Sequence, residues 1–460
     1  MSIEKLPKLN LDNTSNAELK TMVHALVEMV NNLIDQVECL KMEATELKAT
    51  KNSGNSSVPP SHDHGRVKKN QSLRKSSGLK RGGQAKHKGS TLEITQSPDT
   101  IVDLSPCFCG KCGLDLEQIP QVLKQKRQVI DIPPTQLLYT EYRNYSKTCS
   151  CGHENKGEFP SNVKAPIQYG ASVESLVAYL SVRQYMPFKR MKECLNDVFG
   201  LRISEGTLVN IIKRMAIKAL PAYNQIKENI KDSHVIGSDE TGAKINGSKG
   251  WFWVWQNLFN TYITVAFSRG YKVIENEFPD GFPNSILESD CLPAQLKTKA
   301  KGYQICIAHL LREIEYFIQL YDDDWSKKMK QLFHDSWELK KEIKVYTADI
   351  PIRTEIIKRL DELLADDLEN QEVKVRTFHK RLLKYKFFIF TFLYQEGVSP
   401  DNNASERAIR NVKVKLKISG QFITLNSAMD FSVLRSLIDT CVKNGANIFN
   451  ALKATALIPS

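Results

Sequence analysis

Between His234 and Ser268 the chain reads as three strands in a row. HVIGSDETGAKI is followed by GWFWVWQNLF, where Trp251, Trp253 and Trp255 alternate with Phe252 and Val254, and then by TYITVAFS. Aromatic and β-branched residues at a period of two suit a pleated, half-buried surface. NGSKG is short and turn-forming, so an antiparallel meander is expected. A helical stretch then starts at Tyr271, the short strand SILESD ends in Asp290, and QICIAHLLREIEYF passes from strand into helix.

Three antiparallel strands, then helix and strand in alternation, is the order of an RNase H-like α/β core. In it Asp239 lies on the first strand and Asp290 at the end of the fourth. Those strands are neighbours, so both carboxylates can face one crevice. Hard oxygen ligands gathered there suit Mg²⁺. An acid at a strand end is also common in a chain with 52 acidic residues.

A long helical stretch, about 310–395, interrupts the pattern before PDNNASERAIRNVKVKLK. Asn402 or Asn403 is placed to cap a helix carrying Glu406. At about 100° per residue, Glu406, Arg410, Lys413 and Lys417 fall on one face within about 60°. Ile409, Val412 and Leu416 form a separate apolar face that can pack on the sheet. A solvated salt-bridge helix would explain the same residues. A metal-ligating acid leading into a basic stripe is also what a phosphodiester-cutting site needs.

The flanks add five further units. Over residues 17–50, Leu19, Leu26, Leu33, Leu40 and Leu47 repeat every seven residues, with Val23, Val30, Val37 and Ala44 four positions on. Leucine at d with β-branched residues at a favours a parallel two-stranded coiled coil. Met22, Val27, Met29 and Ile34 widen the stripe, so a helix packed on the chain's own body is the alternative. Residues 51–92 carry ten Lys or Arg, among them Lys68, Lys69, Lys80 and Arg81, against the single acid Asp63. Such a segment cannot bury a core and reads as a flexible, phosphate-binding arm.

In residues 93–160, Cys109 and Cys112 sit in CFCGKCG and Cys149 and Cys151 in KTCSCGH. Each pair ends in Cys-Gly, which permits the tight turn a zinc-bound thiolate pair uses. Cys107 and His153 are substitute ligands. RQVIDIPP and LLYTEYRNY alternate like strands, so a small β-rich Zn²⁺ module is expected. Cys39, Cys194, Cys291, Cys306 and Cys441 are isolated and read as packing residues. Residues 161–230 read as helical, with a helix, a turn at Gly200, an N-cap at Ser204 and a second helix. That resembles a helix-turn-helix with Lys189, Arg190, Lys213 and Arg214 open to phosphates, or else a structural connector. The last 35 residues, 426–460, are expected to be helical.

Charge and hydropathy narrow the class. Lys and Arg exceed Asp and Glu by 64 to 52, which favours polyanionic partners. The longest apolar run, Phe387 to Leu393, is far short of the ~20 residues of a membrane span. MSIEKLPKLN has no apolar core behind a basic start, so no secretion signal is expected. The few, clustered cysteines fit metal in a reducing cytoplasm.

The order of these pieces resembles transposases of the insertion-sequence 66 family, which are of the DDE class. The likeness runs from about Glu18 to the C-terminus. It rests on NSGNSSVPPSHD, GGQAKHKG, the paired cysteines, QVIDIPP, SDETGAK, DGFPN with SDC, HLLRE and NNASERAIRNVKVK. SDETGAK together with NNASERAIR is the specific combination. GGQAKHKG departs from the pattern, where Pro-Gly is expected before the His.

The resemblance implies a multidomain α+β and α/β protein with an RNase H-like catalytic domain at 231–425. It implies a triad of Asp239, Asp290 and Glu406 holding Mg²⁺ or Mn²⁺, with Asp280 as the alternative second carboxylate. Two phosphoryl transfers without a covalent protein intermediate would follow, water cutting each element end and the freed 3′-hydroxyl attacking target DNA. Expected partners are DNA, further copies of the chain through the coiled coil, and accessory proteins of the same element. A catalytically inactive DNA-binding regulator is the rival reading.

Overall fold

The computed structural model describes residues 17–48, 51, 55–56, 92–133, 135–346 and 350–459. Lys68, Lys69, Lys80 and Arg81 of the basic arm lie outside the described residues. The chain begins with α1 (Ala17–Lys48), followed much later by a small antiparallel pair, β1 (Ser146–Thr148) and β2 (Glu154–Lys156). Next come α2 (Ala171–Ala178), a π-helical turn at Tyr179–Arg183, α3 (Phe188–Phe199) and α4 (Glu205–Lys231). Gly200 closes α3 in the left-handed region at φ 64°, and the Ser204 hydroxyl accepts from the Thr207 N–H to open α4.

The central sheet is built from β3 (Val235–Ile245), β4 (Ser248–Gln256), β5 (Thr261–Ala266), β6 (Phe282–Ser289) and β7 (Ala300–Ile305). Its order is β5-β4-β3-β6-β7, antiparallel across β5, β4 and β3 and parallel across β3, β6 and β7. Helices α5 (Tyr271–Glu277) and α6 (Pro293–Lys297) fill the crossovers. Parallel neighbours need such crossovers, whereas β3 and β4 turn directly through Asn246 and Gly247, both at positive φ. The result is the mixed α and β architecture expected.

After β7 come α7 (Ile307–Tyr321), α8 (Asp324–Glu342), α9 (Pro351–Ala365) and α10 (Val373–Lys384). These four helices have their own core, centred on Phe317, Trp325, Phe333, Leu360 and Phe378, against the β7 edge. The stretch read as helix to about 395 ends instead in two short 3-10 turns at Lys386–Phe388 and Thr391–Leu393. The chain then returns to the sheet with α11 (Asn403–Ser419), α12 (Leu425–Lys443) and α13 (Ile448–Leu457). Ile409 and Val412 of α11, Phe431 and Leu434 of α12, and Met215 and Ala219 of α4 share one core with β4 and β5. Among the described residues, no helix is long and apolar enough to cross a membrane.

Two local expectations differ. Residues 127–133 and the whole of LLYTEYRNY form no strand, and Val129, Ile130, Ile132, Leu138 and Tyr139 stay exposed. Alternation makes a strand stable only where a second layer covers its apolar face, and none does among the described residues. On α1, Leu19, Met22, Leu26, Met29, Leu33 and Leu40 form an exposed stripe, while Val23, Val27, Val30 and Ile34 are half-buried. The wide apolar surface thus divides into two stripes.

Candidate active site

The site begins with how tightly α11 lies on β3. A Cβ at Gly237 would collide with the Ser405 hydroxyl and the Gln256 amide, so only glycine allows this approach. Asn402 stands at the N-cap of α11, but its side chain does not cap the helix. Its Nδ2 donates instead to the Ser238 carbonyl at 2.6 Å, and its N–H donates to Cys306 Sγ at 3.2 Å. Ile307 N–H donates to the Pro400 carbonyl at 2.8 Å. The starts of α7 and α11 and the middle of β3 are therefore joined at one point. Cys306, read as packing, is buried but also serves as an acceptor in this junction.

Asp239 lies on the β3 face that Gly237 shares, toward α11. The parallel register pairs Gly237 with Glu288, so two residues further on Asp239 is level with Asp290, just past the end of β6. Asp290 is steadied by the Leu292 N–H, which donates to Oδ1 at 2.9 Å. Glu406 enters from the first turn of α11. Burial, then the charges of Glu240 and Asp290, hold the Asp239 carboxyl well above the usual carboxylate range. The charge of Glu406 pushes the same way, while the Glu240 N–H, donating to Oδ1 at 2.9 Å, opposes them. Asp280 sits in the turn before β6, 75% exposed and 3.7 Å from Lys231 Nζ. The whole length of β6 separates it from Asp290.

Two residues that sequence reasoning did not single out bear on Glu406. Arg312 Nη2 and His309 Nε2, both on α7, stand 3.3 Å and 3.7 Å from Glu406 Oε1. Burial and the Arg312 charge lower the His309 pKa, favouring the neutral ring, and its Nδ1 is buried without a partner. HLLRE contained this pair, spaced three apart on one helix face, but its neighbour lies 94 residues away.

Among the described residues, no three metal-ligating side chains stand close enough to form a coordination set. The donor chemistry still fits a divalent cation. Asp239, Asp290 and Glu406 offer hard oxygens, and the like charge felt at Asp239, from Glu240 first and then Asp290, is what a bound cation would relieve. Along α11, Arg410, Lys413 and Lys417 are exposed on the face that starts at Glu406.

The other candidate residues divide. Lys189, Arg190 and Lys213 are exposed, but Arg214 donates to buried Glu174 Oε1 through Nε at 2.9 Å and Nη2 at 2.6 Å. That guanidinium is committed inside the fold. Cys109 and Cys149 each begin a tight turn, closed by N–H donations from Gly113 to the Cys109 carbonyl (2.9 Å) and from Gly152 to the Cys149 carbonyl (2.8 Å). Gly113 and Gly152 have φ of 73° and 85°, which a side chain would resist. Backbone N–H groups of Lys111 and Cys112 lower the Cys109 thiol, and that of Cys151 lowers Cys149. Each pair is drawn in by its own turn, yet the two pairs are not brought together among the described residues.

The mixed sheet thus carries one acid on β3 and one just past β6, with a third on the helix packed against them and an exposed basic face along that helix. The model of the transposase IS66 family matches residues 166–430, more than half of the sequence, and the chain belongs to that family. A family of unknown function matches residues 4–93. The chain is also similar to an uncharacterized protein, y4jD, of Sinorhizobium fredii. The two are 21% identical over 483 residues, covering 96% of this chain and 90% of that protein.

Proposed function

We propose that this chain is a DNA transposase whose Asp239, Asp290 and Glu406 form the acid triad of an RNase H-like catalytic domain. What supports the reading is that Asp239 on β3 is level with Asp290, just past β6, while Glu406 enters from the first turn of α11, and that the charges of Asp290 and Glu406 add to the rise at Asp239 that burial and Glu240 lead. The strand order supports it, because parallel β3 and β6 place Asp239 level with Asp290.

Asp239, Asp290 and Glu406 would hold Mg²⁺ or Mn²⁺. Bound divalent cations supply activation of the attacking oxygen and charge stabilisation of the leaving one. Arg312 and His309 hold Glu406 over the crevice, and the Asn402 junction fixes α11 against β3. Arg410, Lys413 and Lys417 extend the site along a phosphate backbone. The expected reaction is hydrolytic cleavage at the element ends, followed by attack of the freed 3′-hydroxyl on target DNA. We also propose that Zn²⁺ draws the two cysteine turns into one structural site, and that α1 pairs with the same helix of a second copy.

Asp239→Asn, Asp290→Asn and Glu406→Gln keep shape and remove the charge that holds the cation. Each should fold and bind DNA, while nicking and strand transfer on labelled element ends fall by orders of magnitude. Asp280→Asn should retain activity. Wild-type cutting by Asp239→Asn or Glu406→Gln would reject the triad, and a dead Asp280→Asn beside an active Asp290→Asn would move its second member.

A further inference from the structure

A second feature lies on the other side of β3. Side chains alternate along a strand, so Glu240, Gly242 and Lys244 face away from the side that carries Asp239. Trp251 is the cross-strand partner of Gly242, and Lys249 that of Lys244. Two cations stand over the half-exposed Trp251 ring: Lys249 Nζ is 4.9 Å and Arg269 Cζ 5.0 Å from its centroid.

Arg269 is held in place. Its Nε and Nη2 donate to Glu240 Oε1 at 2.9 Å and 2.6 Å, and the Glu240 side chain is 1% exposed. Lys249 is exposed and has no carboxylate partner among the described residues. From Thr241 to Ile274 the sequence contains no acid and four cations. A shallow open depression lies alongside, lined by Gly242, Lys244 and Lys249 and, from the end of α11, by Leu416 and Gly420.

Sheet stability alone explains this arrangement poorly. Burying a carboxylate to steady one guanidinium on an exposed ring carries a desolvation cost. A one-signed patch around an aromatic ring suits a polyanion that also offers a flat face. Duplex DNA presents phosphates but keeps its base faces stacked, so the ring would add little to duplex binding. An unpaired strand offers both.

We propose that Trp251, Arg269, Lys249 and Lys244 form a stacking platform for an unpaired DNA base and its neighbouring phosphates. The base takes the place of the Lys249 ammonium over the ring, and that ammonium moves to the phosphate beside it. Arg269 stays fixed by Glu240. Because the platform faces away from Asp239, the strand it holds is not the one being cut. This inference takes its ligand class from the transposase reading, but it concerns binding and not the acid triad.

The test is binding of a short labelled single-stranded oligonucleotide by the full chain, at elevated salt where phosphate-only contacts fade. A blunt duplex of the same sequence is measured in parallel. Trp251→Ala should weaken single-strand binding about tenfold, in keeping with ~1–3 kcal/mol per stacked base. Duplex binding should change less than about twofold on the same scale. Trp251→Phe, which keeps a ring, should recover most of the loss, and Lys249→Glu should reproduce part of it. Unchanged single-strand binding by Trp251→Ala overturns the platform, as does an equal loss for both DNA forms in Trp251→Ala and Lys249→Glu. Wild-type protein that nicks element ends but shows no ring-dependent binding leaves the transposase reading standing without the platform. Ring-dependent binding with no nicking does the reverse.

Discussion

Glu288 lies on β6, two residues before Asp290, which follows the strand's end. Burial pushes its carboxyl up to about 8, against the opposing donation of the Ser399 N–H to Oε1. Between about 4.5 and 8 the folded state therefore keeps a proton that the unfolded chain releases. A raised pKa gives stability that is full below the unfolded value and lost as pH climbs to the folded one, at ~1.4 kcal/mol per pH unit. Glu288→Gln keeps an acceptor for Ser399 and has nothing to ionise. Its urea midpoint should fall less between pH 5 and pH 8 than that of wild type. Parallel declines would show that Glu288 is not the group responsible. At this scale the sequence made Asp239 and Glu406 legible, because their motifs place an acid on a strand and on a basic helix. Arg312, His309 and Cys306 were not legible, since their roles exist only once α7 begins beside α11.

Among the elements, strands β3 to β5 were readable from their period-two pattern and short connection. The cysteine segment was readable only in its turns. Gly113 and Gly152 dictate local geometry, so each turn forms without help, whereas strands in RQVIDIPP need a layer that the described residues do not supply. That contrast suggests a module whose closure depends on metal. Protein purified without chelator should carry about one zinc per chain. Cys112→Ser should lose it and become protease-sensitive between residues 93 and 160, with the sheet intact. A metal-free wild-type protein of equal protease resistance would exclude a zinc site here.

At the scale of the whole molecule, the exposed Leu19, Met22, Leu26, Met29, Leu33 and Leu40 stripe is a surface that the described residues leave uncovered. Leu33→Lys places a charge mid-stripe and should shift the sedimenting species to monomer, with thermal stability of the body unchanged. A wild-type chain that sediments as a monomer at every concentration would assign the stripe to something other than self-association. The four-helix insertion has a different kind of consequence, in time. It puts 115 residues between Asp290 and Glu406. At ~5–20 residues per second, a growing chain spends roughly 6–23 s with the strands of the first two acids made and the third acid unmade. Helices α7 to α10 carry a core of their own and can fold within that interval. Glu406 and the basic face of α11 behind it thus join Asp239 and Asp290 only late in synthesis, after the four-helix unit is made.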